Sequence, residues 1–208
     1  LIVRLDMASG VLAGLTNDPT SSTNRITAIN GIEQFGQSLS SLAQQVQTLR
    51  GQADQQIRQD ITTVNTNLQQ IASLNAQIEQ QSLTGGDTGD LEDQRAQAVA
   101  AISNIIDVRT FSLSNGGIGL SMSSGLTLLD DQPRQLVYNS PSTITSGTVL
   151  PQITVNAVDP TTGAVSATGL PLDGQVQSGE LRGLLDMRDS FLPNFATELG
   201  QLGTSGAD

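Results

Sequence analysis

The chain has 208 residues, with no Cys, His or Trp, four Phe, one Tyr and a net charge of −11. Disulfides and thiolate metal sites are thereby excluded, and any acid–base chemistry would fall to Asp, Glu or Tyr. Nine scattered basic residues against twenty acidic ones disfavour nucleic acid and an anionic membrane surface, since both require clustered cations.

Only 37% of residues are apolar and 2% aromatic, which suits an elongated body with a thin core better than a round one. No run of 18 apolar residues marks a transmembrane helix, and no signal peptide is visible. The chain opens on Leu1 in mid-pattern, as a trimmed fragment would.

In chain order, Leu5, Ala8, Val11, Leu12 and Leu15 predict a short helix over 2–16, stopped by Thr16-Asn17-Asp18-Pro19. Asp18 and Ser21 are candidate N-caps for the next helix. An apolar stripe then runs Ile26, Ile29, Ile32, Phe35, Leu39, Leu42, Val46, Leu49, Ala53, Ile57, Ile61, Val64, Leu68, Ile71, Asn75, Ile78 in steps of three and four. It predicts one helix to Gln81, roughly 80 Å long. Consecutive steps of four at Ala53, Ile57 and Ile61 interrupt the alternation of a regular supercoil. Gly31 or Gly36 is the expected place for a bend or break. Asn75 interrupts the stripe, either as a buried residue that sets register or as a solvated one.

Thr84-Gly85-Gly86-Asp87-Thr88-Gly89 is a turn. Asp90 is the expected N-cap of a third helix, with Glu92 and Asp93 in its first turn. Leu91, Ala98, Val99, Ile102, Ile105 and Ile106 form its apolar face, folded back antiparallel on the long helix. After Asp107 the period falls to two. Residues 108–113, Ile118 to Met122, Leu126 to Leu129, Gln135 to Tyr138 and Ile153 to Val158 read as strands, with Asn115-Gly116 as a hairpin turn. Ser178 is the expected N-cap of a returning helix carrying Leu181, Leu184, Leu185, Arg188, Leu192, Phe195, Leu199 and Leu202. Pro193 predicts a kink or break near Ser190, and Gly203 to Asp208 a frayed end.

The fold class expected is α+β: an elongated antiparallel helical rod with one long helix, and a small antiparallel β domain inserted before the last helix. The expected domains are 1–107, 108–176 and 177–208. The middle one reads as an insertion that a short linker could replace without loss of the helical rod.

Chemistry is sparse. No G-x-S-x-G, P-loop or dinucleotide fingerprint occurs. Asp87, Asp90, Glu92 and Asp93 suggest either a Ca²⁺ loop or helix capping; the spacing is not that of an EF-hand, and capping accounts for all four. Asp130-Asp131 is turn chemistry. Arg95 and Arg188 lie on otherwise apolar helix faces, to anchor a partner or to pair with Asp93, Asp189 or the Gln-rich rod. The sequence predicts no enzyme, no catalytic, cofactor-binding or metal-binding residue, and no cofactor.

The segment from Leu49-Arg50-Gly51 through Ile71-Ala72-Ser73-Leu74-Asn75-Ala76-Gln77-Ile78 resembles the family of flagellar hook-associated protein 1. Leu91-Glu92-Asp93-Gln94-Arg95, Asp107-Val108-Arg109 and Gly179-Glu180-Leu181-Arg182-Gly183-Leu184-Leu185 with Arg188-Asp189 and Leu192-Pro193 agree in order. The resemblance implies a central fragment lacking the family's terminal helices. It further implies a secreted structural subunit at the hook–filament junction of the extracellular bacterial flagellum. The partners implied for the full-length form are copies of itself, the hook protein and the second junction protein, with no nucleic acid and no membrane. The fragment alone is expected to be monomeric. The alternatives are a recognition module, such as an adhesin tip or a receptor sensor bundle, and another axial subunit such as flagellin.

Overall fold

The computed structural model describes residues 2–145 and 147–205, without the side chains of 2–8 and 205. The side chains of the expected apolar positions Leu5 and Ala8, and the expected fray over 206–208, lie outside what is described. The class is α+β: helices and two three-stranded antiparallel sheets.

Helix α1 spans Ile2–Asn17 and α2 spans Ser22–Leu83. Of the two candidate caps, Ser21 fills the role: its Oγ accepts the Asn24 N–H at 3.2 Å. α2 runs unbroken through Gly31, Gly36 and Gly51, so the expected break is absent. The chain packs as two compact units, residues 1–51 with 190–208, and residues 52–189; α2 contributes to both.

In the first unit Ala28, Phe35, Val46, Arg50, Leu192 and Leu199 are buried. Val11 of α1 lies 3.7 Å from where a Cβ at Gly31 would stand, and Leu39 lies 3.8 Å from that point at Gly203. Ile26, Ile29, Ile32 and Leu49 remain 44–59% exposed. This corrects the expected stripe. Its spacing identifies an apolar face but not how much of that face a 16-residue α1 and a 14-residue α5 (Leu192–Ser205) reach.

In the second unit the stripe is covered. Ile57, Val64, Leu68 and Ile71 have no exposed surface, and they share one core with Ala98, Ile102 and Ile105 of α3 (Gly89–Ile105). The first sheet orders β1 (Val108–Ser112), β2 (Ile118–Met122) and β3 (Thr127–Leu129). The second orders β4 (Gln135–Val137), β5 (Thr154–Val158) and β6 (Val165–Pro171). Two sheets thus stand where one β unit was expected, and β6 is a strand the period-two reading missed. Gly169 and Pro171 weaken its strand signal, and both are tolerated because β6 is an edge. Leu120, Met122, Leu128, Leu129, Leu136 and Val155 place their side chains in the core that α2 lines.

A 3₁₀ turn at Asp173–Gln175 leads to α4 (Glu180–Asp186). Ser178 is not the N-cap. Gly179 precedes the helix at φ +94°, and a Cβ there would stand 2.4 Å from the Ile105 carbonyl oxygen. The Gln177 N–H donates to Asp107 Oδ1 at 3.1 Å, so the end of α3 holds the start of α4. The disturbance expected from Pro193 is a π-helical turn, Met187–Phe191, directly before α5.

From the shared core we infer that residues 108–176 are not a separable domain. Replacing them by a Gly/Ser linker would remove Leu120, Met122, Leu128, Leu129, Leu136 and Val155 from the core that Ile57, Val64, Leu68 and Ile71 share. The shortened chain should lose cooperative melting of its helical circular dichroism; a sharp transition near the parent midpoint would restore the insertion reading.

Candidate functional site

Polar side chains of α2, on its apolar stripe at Asn75 and beside it at Asn65 and Asp54, tie the helix to the rest of the second unit. Asn75 is 5% exposed. Its Nδ2 donates to the Ile118 carbonyl at 2.8 Å, and its Oδ1 accepts the Ile118 N–H at 3.1 Å. The same Oδ1 accepts Arg95 Nη1 at 3.0 Å, which ties α3 to the junction. Ten residues earlier Asn65 repeats the device on the second sheet. Its Nδ2 donates to the Leu136 carbonyl and its Oδ1 accepts the Leu136 N–H, both at 2.8 Å. A carboxamide carries one donor group and one acceptor, as a strand residue does. It can therefore stand in for a missing neighbour beside β2 and at the outer edge of β4. Asn75 stands out in the sequence; Asn65 does not.

Nearer the start of α2, Asp54 is fully buried. Its Oδ1 accepts the Tyr138 hydroxyl and the Ser140 hydroxyl, each at 2.6 Å, and its Oδ2 accepts Arg58 Nη1. Tyr138 is pushed up to about 12 by burial and by the carboxylate of Asp54 that its proton serves. Across its ring sits Arg188, 2% exposed, with the guanidinium carbon 5.6 Å from the ring centroid. Arg188 Nη2 reaches Asp173 Oδ2 at 2.6 Å and Asp189 Oδ2 at 2.7 Å; Nε reaches Asp189 Oδ1 at 2.7 Å; Nη1 donates to the Pro151 carbonyl at 3.3 Å. Burial works against the charge, but these carboxylates outweigh it and raise the pKa of Arg188 further. Asp173 Oδ1 in turn accepts the Ile153 N–H at 2.8 Å. Arg188 therefore pairs within the chain, with Asp189 as expected and with Asp173 besides.

The acidic turn does capping work. Asp87 Oδ1 accepts the Gly89 N–H at 3.0 Å, and Thr88 Oγ1 donates to Glu92 Oε1 at 2.8 Å. α3 starts at Gly89, so Asp90 lies inside the first turn and is not its N-cap. Among the described residues no group of three or more acidic side chains could hold a metal ion, and no helix is long and apolar enough to cross a membrane. Asp130 Oδ1 accepts the Gln132 N–H at 3.2 Å, ordinary turn chemistry. Asp60 is a buried carboxylate that is only half matched. It is 4% exposed, its Oδ1 accepts Gln56 Nε2 at 2.9 Å, and its Oδ2 has no partner. Burial raises its pKa, Gln56 opposes this, and Glu180 adds to it.

Residues 4–208 match the family model of the flagellar hook-associated protein FlgK helical domain. The chain is 30% identical over 154 residues to flagellar hook-associated protein 1 of Salmonella typhimurium, covering 73% of this chain and 26% of that protein. Against the Escherichia coli protein of the same name the identity is 30% over 152 residues, covering 71% and 26%. Among solved structures it is similar to the flagellar hook junction protein FlgK from Burkholderia pseudomallei. The TM-score is 0.77 and the identity 27%, over 95% of this chain and 34% of that one. The chain spans about a quarter of the length of the curated relatives it matches.

Asn65→Ala should destabilise the second unit by about 2 kcal/mol, since it orphans both backbone groups of Leu136. Asn67→Ala should change stability by less than about 0.5 kcal/mol, because Asn67 bonds only the Thr63 carbonyl of its own helix. Equal melting shifts for the two would show that the Leu136 pair contributes nothing. Asp60 has a folded pKa above its unfolded value, so its stabilising contribution is complete below the unfolded pKa and lost as pH rises through the folded one. The melting temperature of Asp60→Asn relative to the parent should therefore climb between about pH 3 and pH 7. A flat difference over that range would contradict the raised pKa.

Proposed function

Because the chain belongs to the flagellar hook-associated protein FlgK family, through that family's helical domain, we propose that it works as a structural segment of a secreted, extracellular subunit at the junction of flagellar hook and filament. The match over nearly the whole chain carries this reading. In that role the full-length subunit packs against copies of itself and against the hook protein and the second junction protein. The work is mechanical, and the residues that do it are those that keep the second unit from shearing. Asn65 and Asn75 hold one sheet each to α2, and the chain Asp54–Tyr138–Arg188–Asp173 holds the connection after β4 to the turn before α5. Arg188→Ala would leave Asp173 without its cationic partner, a loss that costs about 3–5 kcal/mol when the pair is buried. We assign no catalytic step to the chain.

The test uses the full-length protein carrying an epitope tag in the exposed loop between β4 and β5, where Val149 is 92% exposed. Immunogold labelling of flagella from the source bacterium should give a single narrow band between hook and filament. Label spread along the filament would move the protein to a filament subunit, and label confined to the cell envelope would remove it from the flagellum.

A further inference from the structure

Between β3 of the first sheet and the β5–β6 face of the second lies an open cleft of about 450 Å³. Its walls are apolar at Leu126, Val155 and Leu170 and hydroxylated at Thr127 and Thr168, and Arg134 closes it. Leu170, on the edge strand β6, is 58% exposed and so offers apolar surface to the cleft. The Arg134 N–H donates to the Leu128 carbonyl at 2.9 Å, which fixes where its side chain starts.

The guanidinium is poorly used by its own chain. Nη2 makes one contact of 3.3 Å to Asp130 Oδ2, whose side chain is 43% exposed. Nε is buried with no acceptor, and the described residues offer none to Nη1. Arg188, at 2% exposed, uses all three nitrogens and two carboxylates, whereas the Arg134 side chain is 34% exposed and makes one contact. A buried donor without a partner is costly, and a planar fork with free N–H groups is matched by a carboxylate. The cleft volume falls in the range of small-ligand sites, and the walls suit a short branched hydrocarbon next to that carboxylate.

We propose that this cleft binds an organic carboxylate with a short apolar body, the acid group on Arg134 and the body between Leu126, Val155 and Leu170. The acid arrives either as a free small molecule or as the C-terminus of a protein chain. Thr127 and Thr168 offer the remaining hydrogen bonds.

Two probes separate the sources: 4-methylpentanoate for a free acid, and the peptide acetyl-Gly-Gly-Leu with its free C-terminal carboxylate for a chain end. Titrated into the ¹⁵N-labelled chain, either should move the amide signals of Thr127, Thr168 and Gly169 saturably, with a dissociation constant of about 1 mM. Tighter binding of the peptide assigns the site to a chain end, and equal or tighter binding of 4-methylpentanoate to a free acid. The uncharged analogue 4-methylpentanamide should leave those signals in place. Arg134→Gln should weaken binding at least about tenfold, the loss of a charge-assisted pair. Asp130→Asn keeps the acceptor for the Gln132 N–H and removes the competing carboxylate, so it should tighten binding; this arm holds even where Arg134→Gln fails to fold. Equal shifts from the amide, no saturable shift from either acid, or unchanged affinity in Asp130→Asn would overturn the proposal.

Discussion

One helix serves both sheets of the second unit. Neither three-stranded sheet is large enough to bury its own face, and each presents backbone groups that no further strand pairs. α2 answers both needs from one side. Its residues Ile57 to Ile71 supply the apolar surface, and Asn65 and Asn75 supply the missing hydrogen-bond partners. Apolar burial is non-directional and fixes no register on its own. The two carboxamides do fix it, because each accepts and donates to a single strand residue. The position of β2 and of β4 along α2 is thereby set.

The Arg188 cluster adds a second kind of constraint. A guanidinium that is 2% exposed is tolerable only with its donors matched, and here two carboxylates, a hydroxyl and a carbonyl match them. The residue sits in a π-helical turn, a geometry that needs support from outside the helix because its hydrogen bonds are not those of the α-helix. Asp173 and Tyr138, from a 3₁₀ turn and the end of β4, give that support.

Much of this was legible in the residues. The period of three and four carried α2, the glycine turn carried the return of α3, and Pro193 marked the π-helical turn. Asn75 stood out because it broke an apolar run. Asn65 did not, because it lies off the stripe in a helix rich in Asn, Gln and Thr; nothing local separates it from Asn67, which bonds only its own helix. Ile26, Ile29 and Ile32 mark the opposite failure. Their spacing is as good as that of Ile57, Ile61 and Val64, yet burial depends on what lies opposite, which periodicity does not encode. Asp173 lies 15 residues from Arg188 in an irregular segment, so no spacing could join them. Gly179, beside the better-looking cap Ser178, is required by a carbonyl on another helix.

The carboxamide pairs also change what can be observed in solution. The amide protons of Ile118 and Leu136 are held by side chains of α2 instead of by a neighbouring strand. Their exchange with solvent deuterium therefore reports the opening of helix from sheet. The N–H of Met122, bonded to the Leu126 carbonyl at 2.8 Å, reports the opening of the β2–β3 hairpin itself. Two residues of one strand, four positions apart, thus time two different separations. A lifting of the sheet off the helix that leaves its ladder whole would be visible as fast exchange at Ile118 beside slow exchange at Met122.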